Sequence, residues 1–144
     1  MYFKKILVPY DGSKYSRRAF EKAVDLAKNS KAKIKVLTCI ATGYGSDMAF
    51  ETRFVDMEEK RLRDAAFAEI TKLEESTRKF GISVSGAVVK TISIPDKITG
   101  FAKSQKSDLI VMGSHGRTGF KKLVLGSVTN HVLSQAPCPV LVIK

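Results

Sequence analysis

Five short apolar runs recur along the chain: Lys4–Pro9 (KKILVP), Lys33–Ile40 (KIKVLTCI), Ile82–Val89 (ISVSGAVV), Asp108–Met112 (DLIVM) and Pro139–Ile143 (PVLVI). LIVM and VLVI have no polar interruption, the pattern of parallel strands covered on both faces. Stretches of helical period separate the runs. Ala19, Phe20, Ala23, Val24 and Ala27 make one apolar face behind Ser13, a residue type suited to cap a helix start. A long charged segment from Asp47 to Phe80 carries its stripe at Leu62, Ala65, Ala66, Ile70 and Leu73. It places Glu59/Arg63, Glu74/Arg78 and Glu75/Lys79 at i,i+4, and Gly81 follows as a stop. A third helix is predicted to open at Ser93-Ile94-Pro95-Asp96, with Ile98, Phe101 and Ala102 inward. A fourth is predicted to start near Gly126-Ser127, to carry Val128, Val132, Leu133 and Ala136, and to end before Pro137.

The resulting order is βαβαβαβαβ. Right-handed crossovers turn such an alternation into a parallel sheet with helices on both faces. In that architecture ligands bind beyond the carboxyl ends of the strands, where strand order reverses. The turns Pro9–Ser13 and Gly113–Gly119 are therefore expected to face each other across a crevice. One domain over residues 1–144 is expected, with no internal repeat or low-complexity stretch, and Ala41–Ser46 (ATGYGS) reads as a mobile loop.

Composition narrows the class. The chain has 144 residues, 44% hydrophobic and 27% charged, as ordinary globular proteins do. No apolar run approaches the ~20 residues of a membrane span, and the apolar stretch in MYFKKILVPYDGS is too short for a signal peptide. Cys39 and Cys138 match no metal spacing and read as small core residues rather than a disulfide, which points to the cytoplasm. The net charge is +11: residues 1–35 hold ten Lys/Arg against three Asp/Glu, residues 36–99 nine against ten, and residues 100–144 six against one. The basic excess thus falls in the two segments that contain the candidate crevice, and such a field attracts anions. Solubilising lysines on exposed helix faces are the plainer reading of the same numbers.

Candidate chemistry concentrates in GSHGRTGFKKLVLGS, residues 113–127. GxxxxGK[ST] and GxGxxG are both absent, so this is neither a Walker loop nor a dinucleotide fingerprint. Gly113-x-x-Gly116, nine residues and then Gly126-Ser127 can bring two groups of backbone amides to one anion. The Gly113–Gly116 loop would cover one side, the amides of Gly126–Val128 would cap it from a helix start, and the Ser127 and Thr129 hydroxyls would add donors. A glycine-rich surface loop before an ordinary helix cap fits the same spacing.

These residues also carry a resemblance. The tail VMGSHGRTGFKKLVLGSVTNHVLSQAPCPVLVIK and the opening ILVPYDGSKYSRRAF resemble the universal stress protein family, in the branch with the G-2x-G-9x-G-[S/T] motif, over essentially the whole chain. The resemblance implies a flavodoxin-like, Rossmann-like five-stranded sheet of order 3-2-1-4-5. It also implies a homodimer through the last strand, Pro139–Ile143, and binding of ATP or a related adenine nucleotide (AMP or ADP). Residue by residue, Pro9 and Asp11 match the end of strand 1 on the adenosine side, with Ser13 a pocket neighbour. Cys39 lies in the strand-2 backbone offered to adenine. Met112, Gly113, Gly116, Arg117, Gly126, Ser127, Val128 and Thr129 match the ribose and phosphate wall. Asp11 can accept from a ribose hydroxyl or the adenine amine, help hold a metal, or close an Asx turn before Gly12. Arg117 reaches either phosphate or solvent.

The function expected is a nucleotide-binding regulatory module of the stress response. No Walker lysine and no clear water-activating base occur, which argues against fast phosphoryl transfer, and slow hydrolysis is left to Mg²⁺ or Mn²⁺ on the phosphates. No metal site from protein residues alone is expected. His115 has no evident acid to orient it and is not assigned to catalysis; His131 reads as structural, and Lys121 and Lys122 as steering anions. The alternatives are an α-hydrolase-like enzyme that hydrolyses or adenylates, whose SGGxDS turn is PYDGS here, and a nucleotide-free interaction protein. Nucleic acid is disfavoured as a partner because basic and aromatic residues do not interleave.

Overall fold

All five apolar runs become strands of one parallel sheet. In a computed structural model, which describes residues 2–42, 49–117 and 124–144, the strands are β1 (Lys5–Pro9), β2 (Lys33–Ala41), β3 (Val84–Thr91), β4 (Leu109–Gly113) and β5 (Val140–Ile143), in the order β3-β2-β1-β4-β5. The helices are α1 (Lys14–Ser30), α2 (Ala49–Thr77), α3 (Ile94–Ser104) and α4 (Ser127–Gln135). Most of the loop expected to be mobile, residues 43–46, lies outside the described residues, as do Gly119, Lys121 and Lys122.

Burial divides the core by sheet face. Ile6, Val8, Ile34, Val36, Leu109 and Val111 pack under α1 and α2 with Ala19, Phe20, Ala23, Val24, Ala27 and Ile70. Leu7, Leu37, Ile110 and Met112 point the other way, onto Ile98 and Ala102 of α3 and Val132 of α4. Alternation along each strand thus serves two helical layers, which is why the runs read as continuously apolar. Ser13 caps α1 as predicted, its Oγ accepting from the Ser16 N–H at 3.2 Å. The predicted long helix ends as a short 3₁₀ turn, Arg78–Phe80, closed by Gly81 at φ +68°.

Two expectations about helix faces need correction. Ala65 is exposed, because the inward stripe of α2 runs through Leu62, Ala66, Ile70 and Leu73 instead. Leu133 keeps 41% of its surface exposed, since Thr129 and Val132 are the residues of α4 that become fully buried. The predicted partner of Glu59 also differs. Its carboxylate pairs with Lys90 of β3, a tertiary neighbour, and no ion pair with Arg63 forms. His131 does bind structurally: its Nε2 lies 3.1 Å from the Asp96 carboxylate and links α4 to α3.

The crevice arises where β1 and β4 separate. Their ladder pairs Ile6 with Leu109 and Leu7 with Ile110, whereas β1 runs on to Pro9 and β4 to Gly113. Pro9 has no N–H to extend pairing. Beyond it the chain is drawn towards β2: the Tyr10 N–H donates to the Leu37 carbonyl at 2.8 Å, and the Thr38 hydroxyl donates to the Tyr10 carbonyl at 2.8 Å. On the other side the Ser114 N–H donates to the Ile143 carbonyl of β5 at 2.8 Å. The two strand ends are held apart by their outer neighbours, at the point where strand order reverses.

Candidate functional site

A cleft opens at that point. Of the residues singled out in the sequence, Pro9, Asp11, Cys39, Met112, Gly113, Gly116, Gly126, Ser127, Val128 and Thr129 line it. Ser13 and Arg117 do not. Ser13 faces Ser16 at the head of α1, and the Arg117 guanidinium lies over Gly12. Tyr10, Ser16, Leu37, Ile94, Ile98 and His115 complete the wall. Ile94 and Ile98 form one i,i+4 pair on the inner face of α3, and that spacing was the available signal; that α3 leans over the strand ends was not visible.

The cleft has two chemically different ends. Leu37, Cys39, Ile94, Ile98 and Met112 make one end apolar. At the other, α4 begins at Gly126 without a side-chain cap. Its first recorded turn bond runs from the Asn130 N–H to the Gly126 carbonyl at 3.0 Å. The N–H groups of Ser127, Val128 and Thr129 therefore have no protein acceptor among the described residues, and they stand at the positive end of the helix dipole. Among the described residues no lysine or arginine lines the cleft, and Asp11 is the one carboxylate that does. The donors that the described residues offer an anion there are backbone amides.

The glycines also have packing roles, and two of the expected donors are already engaged within the protein. A Cβ on Gly113 would stand 2.6 Å from Tyr15 Cβ and 2.8 Å from its carbonyl carbon, so this glycine, which also lines the cleft, admits the first turn of α1 against β4. The Gly126 N–H is already bonded to the Ser114 carbonyl at 2.7 Å, and a Cβ there would press on the backbone of Ser114 and His115 at 3.3 Å. The expected Thr129 hydroxyl donor is likewise taken: buried at 3% exposure, it donates to the Gly113 carbonyl at 2.8 Å. Together these contacts seat the start of α4 on the loop after β4. They leave the amides further into α4 as donors.

Asp11 joins the two turns. Its Oδ1 accepts from the Ser13 N–H at 2.9 Å, the Asx turn weighed in the sequence, and its Oδ2 accepts from the Arg117 N–H at 3.1 Å. His115 sits beside this bridge, with Nδ1 2.9 Å from Ser114 Oγ and its ring 5.3 Å from that of Tyr15. Burial raises the Tyr10 phenol above its ordinary value, against a lowering hydrogen bond from Arg17. Burial also pushes the Cys39 thiol up to about 11, with Lys97 acting weakly the other way. Both cysteines are free. Among the described residues no group of three or more His, Cys, Asp or Glu side chains is placed to hold a metal, and no helix is long and apolar enough to cross a membrane.

The sequence profile of the universal stress protein family matches residues 2–144. The chain belongs to that family. Universal stress protein MJ0531 of Methanocaldococcus jannaschii is 30% identical over 142 residues, covering 99% of this chain and 82% of that protein. The solved structure of MJ0577, a universal stress protein of the same organism, superposes with a TM-score of 0.88 at 27% identity, covering 100% of this chain and 97% of the other. A family member from Arabidopsis thaliana, solved with AMP bound, superposes with a TM-score of 0.67 at 21% identity, covering 98% and 91% of the two chains. That last likeness shows the fold alone.

Proposed function

We propose that this universal stress protein binds an adenine nucleotide in the cleft between β1 and β4 and serves as a regulatory module of the stress response. The observation that carries the proposal is the pairing of an apolar slot with three amides at one helix start that have no acceptor among the described residues. A planar base fits between Leu37, Cys39, Ile94 and Met112, and phosphate fits the Ser127–Thr129 amides, with Gly113 and Gly116 beside it. The AMP carried by the Arabidopsis relative supports the ligand class.

Pro9 and Asp11 border the ribose in this reading. Asp11 is oriented by two amides and keeps lone pairs for a ribose hydroxyl. Ser13 and Arg117 act one layer back, through Ser16 and through Asp11. ATP, ADP or AMP occupies the cleft, and Mg²⁺ or Mn²⁺, when bound, takes most of its ligands from phosphate and water, because Asp11 is the one carboxylate at hand. In this reading turnover is slow or absent. The protein works as one domain in the cytoplasm, where its free cysteines stay reduced. It pairs with a second copy along β5, whose outer edge carries the half-exposed Leu141.

Denaturing freshly purified protein and identifying the released small molecules by mass spectrometry tests the proposal. ATP, ADP or AMP is expected at near one per chain. Its absence, together with no heat on titrating ATP and AMP to millimolar concentration, overturns it.

A further inference from the structure

Several lysines of the two basic segments lie away from the cleft. All strands are parallel, so their amino ends share one edge of the sheet, opposite the cleft. Lys5 and Lys33, the exposed first residues of β1 and β2, are direct cross-strand partners. Lys4 adjoins them through its carbonyl, which accepts the Lys33 N–H at 2.9 Å. The Lys5 ammonium reaches the Gln105 carbonyl at 3.5 Å, which joins the turn after α3 with Lys103 and Lys106 to the same edge. Lys31, in the left-handed conformation at φ 58°, completes the row before β2. On its far side stands Phe80, with the Lys28 ammonium 4.0 Å and the Lys79 ammonium 5.1 Å from its ring centre.

No ion pair engages Lys4, Lys5, Lys31, Lys33, Lys103 or Lys106 among the described residues. Asp108, the one acid of residues 100–144, turns its carboxylate to the Lys4 and Lys5 amides at 2.8 and 3.0 Å. Helix ends favour lysine at Lys31 and Lys103. Lys5 has one acceptor, the carbonyl of Gln105 at the end of α3, whereas Lys33 has no ion-pair partner among the described residues, and two like charges on neighbouring strand ends repel. Ion pairing therefore does not account for the row, and helix ends account for only part of it.

We infer that the amino edge of the sheet is a docking ridge for the phosphate backbone of a nucleic acid. Four strand ends at ~4.8 Å spacing give a ridge of roughly 15 Å. A nucleic-acid strand advances ~3.4 Å per phosphate, so the ridge faces four or five of them. Tyr2, 76% exposed, and Phe80 offer rings among the cations for base stacking. The interleaving that the sequence lacks is assembled here from four separate segments. A narrow row of cations matches a linear polyanion better than a bilayer, and exposed Phe54, Met57 and Ile92 lie on other elements.

Fluorescence anisotropy of labelled 20-nucleotide single-stranded RNA and of duplex DNA, each titrated with the whole protein from 20 to 200 mM salt, tests this. Binding is expected, with a log–log salt slope of about −4 on the duplex and about −3 on the single strand. The triple variant K5E/K33E/K106E should bind at least tenfold more weakly while retaining adenine nucleotide; if it fails to fold, K103Q/K106Q should weaken binding and flatten the slope by about 1–2. No binding at 20 mM salt, binding that both variants leave intact, or binding only to vesicles containing phosphatidylserine overturns the inference.

Discussion

The Asp11 carboxylate accepts a hydrogen bond from the Arg117 amide at 3.1 Å, across 106 residues of chain. With its other oxygen on the Ser13 amide, this one side chain ties the turn after β1 to the glycine loop after β4. Replacing it loosens both cleft walls. Asp11→Ala should lower stability by about 1.5–3 kcal/mol, the range for hydrogen bonds to a charged acceptor. It should also weaken AMP binding, and Asp11→Asn, which keeps one acceptor oxygen, should fall between it and the parent. Urea denaturation and calorimetry of AMP binding give both readings; an unchanged Asp11→Ala in the two assays removes the tether from the account.

Gly113 and Ser127 can be separated by variants that act on different things. Gly113→Ala places a methyl 2.6 Å from Tyr15 Cβ and 2.8 Å from its backbone, which α1 has no room to accept. Overpacking of this kind is worth about 1–3 kcal/mol, and Gly113→Val should be worse. A drop in the urea midpoint is therefore expected before any ligand is added. If Gly113→Val were as stable as the parent, the close approach of α1 to β4 would be wrong.

Ser127→Pro removes one cleft amide without disturbing the helix. Ser127 is the first residue of α4, where proline is favoured, and Gly126 at φ −66°, ψ 160° already has the extended backbone that precedes proline. Unaltered circular dichroism and roughly tenfold weaker AMP binding are expected, about 1.4 kcal/mol for one amide to a charged phosphate. Equal affinity in the two proteins would take phosphate away from this helix start.

Thr129→Val removes the buried hydroxyl that closes the loop onto α4. The Gly113 carbonyl then loses its 2.8 Å donor, and a buried acceptor left alone costs about 1–3 kcal/mol. Thermal unfolding should show the loss, while Thr129→Ser should largely restore the parent value. A Val variant as stable as the parent would show that the loop closes by other contacts.

The Cys39 thiol makes a prediction in pH. Burial raises it from its ordinary value of 9.0 to about 11, so the folded state holds its proton more tightly than the unfolded one. Its contribution to stability is complete below pH 9 and is lost as pH climbs towards about 11. Cys39→Ala should flatten the fall in stability across that window, measured with Cys138→Ala as the common background. At pH 8, AMP should slow the labelling of Cys39 by a maleimide, because the thiol lines the cleft. Labelling at equal rates with and without AMP would place the ligand elsewhere.

Element order, strand and helix positions, the Ser13 cap and the Gly81 stop were legible in the chain because period and capping are local properties. So was most of the cleft lining, since motif residues at the carboxyl ends of β1 and β4 must meet wherever strand order reverses. Other features depended on which surfaces the fold brings into contact. That Gly113 is also needed for packing shows only when Tyr15 is found against it, and Thr129 reads as a free donor until its hydroxyl is found donating to the Gly113 carbonyl. Ile94 and Ile98 look like ordinary core until α3 leans over the strand ends. Charge shows the difference most plainly: counting lysines by segment assigns the field to the cleft, whereas parallel strands send Lys4, Lys5, Lys33 and Lys106 to the opposite edge. Local pattern determines what each segment becomes; only tertiary packing determines which end of a strand a side chain occupies and which neighbour takes its hydrogen bond.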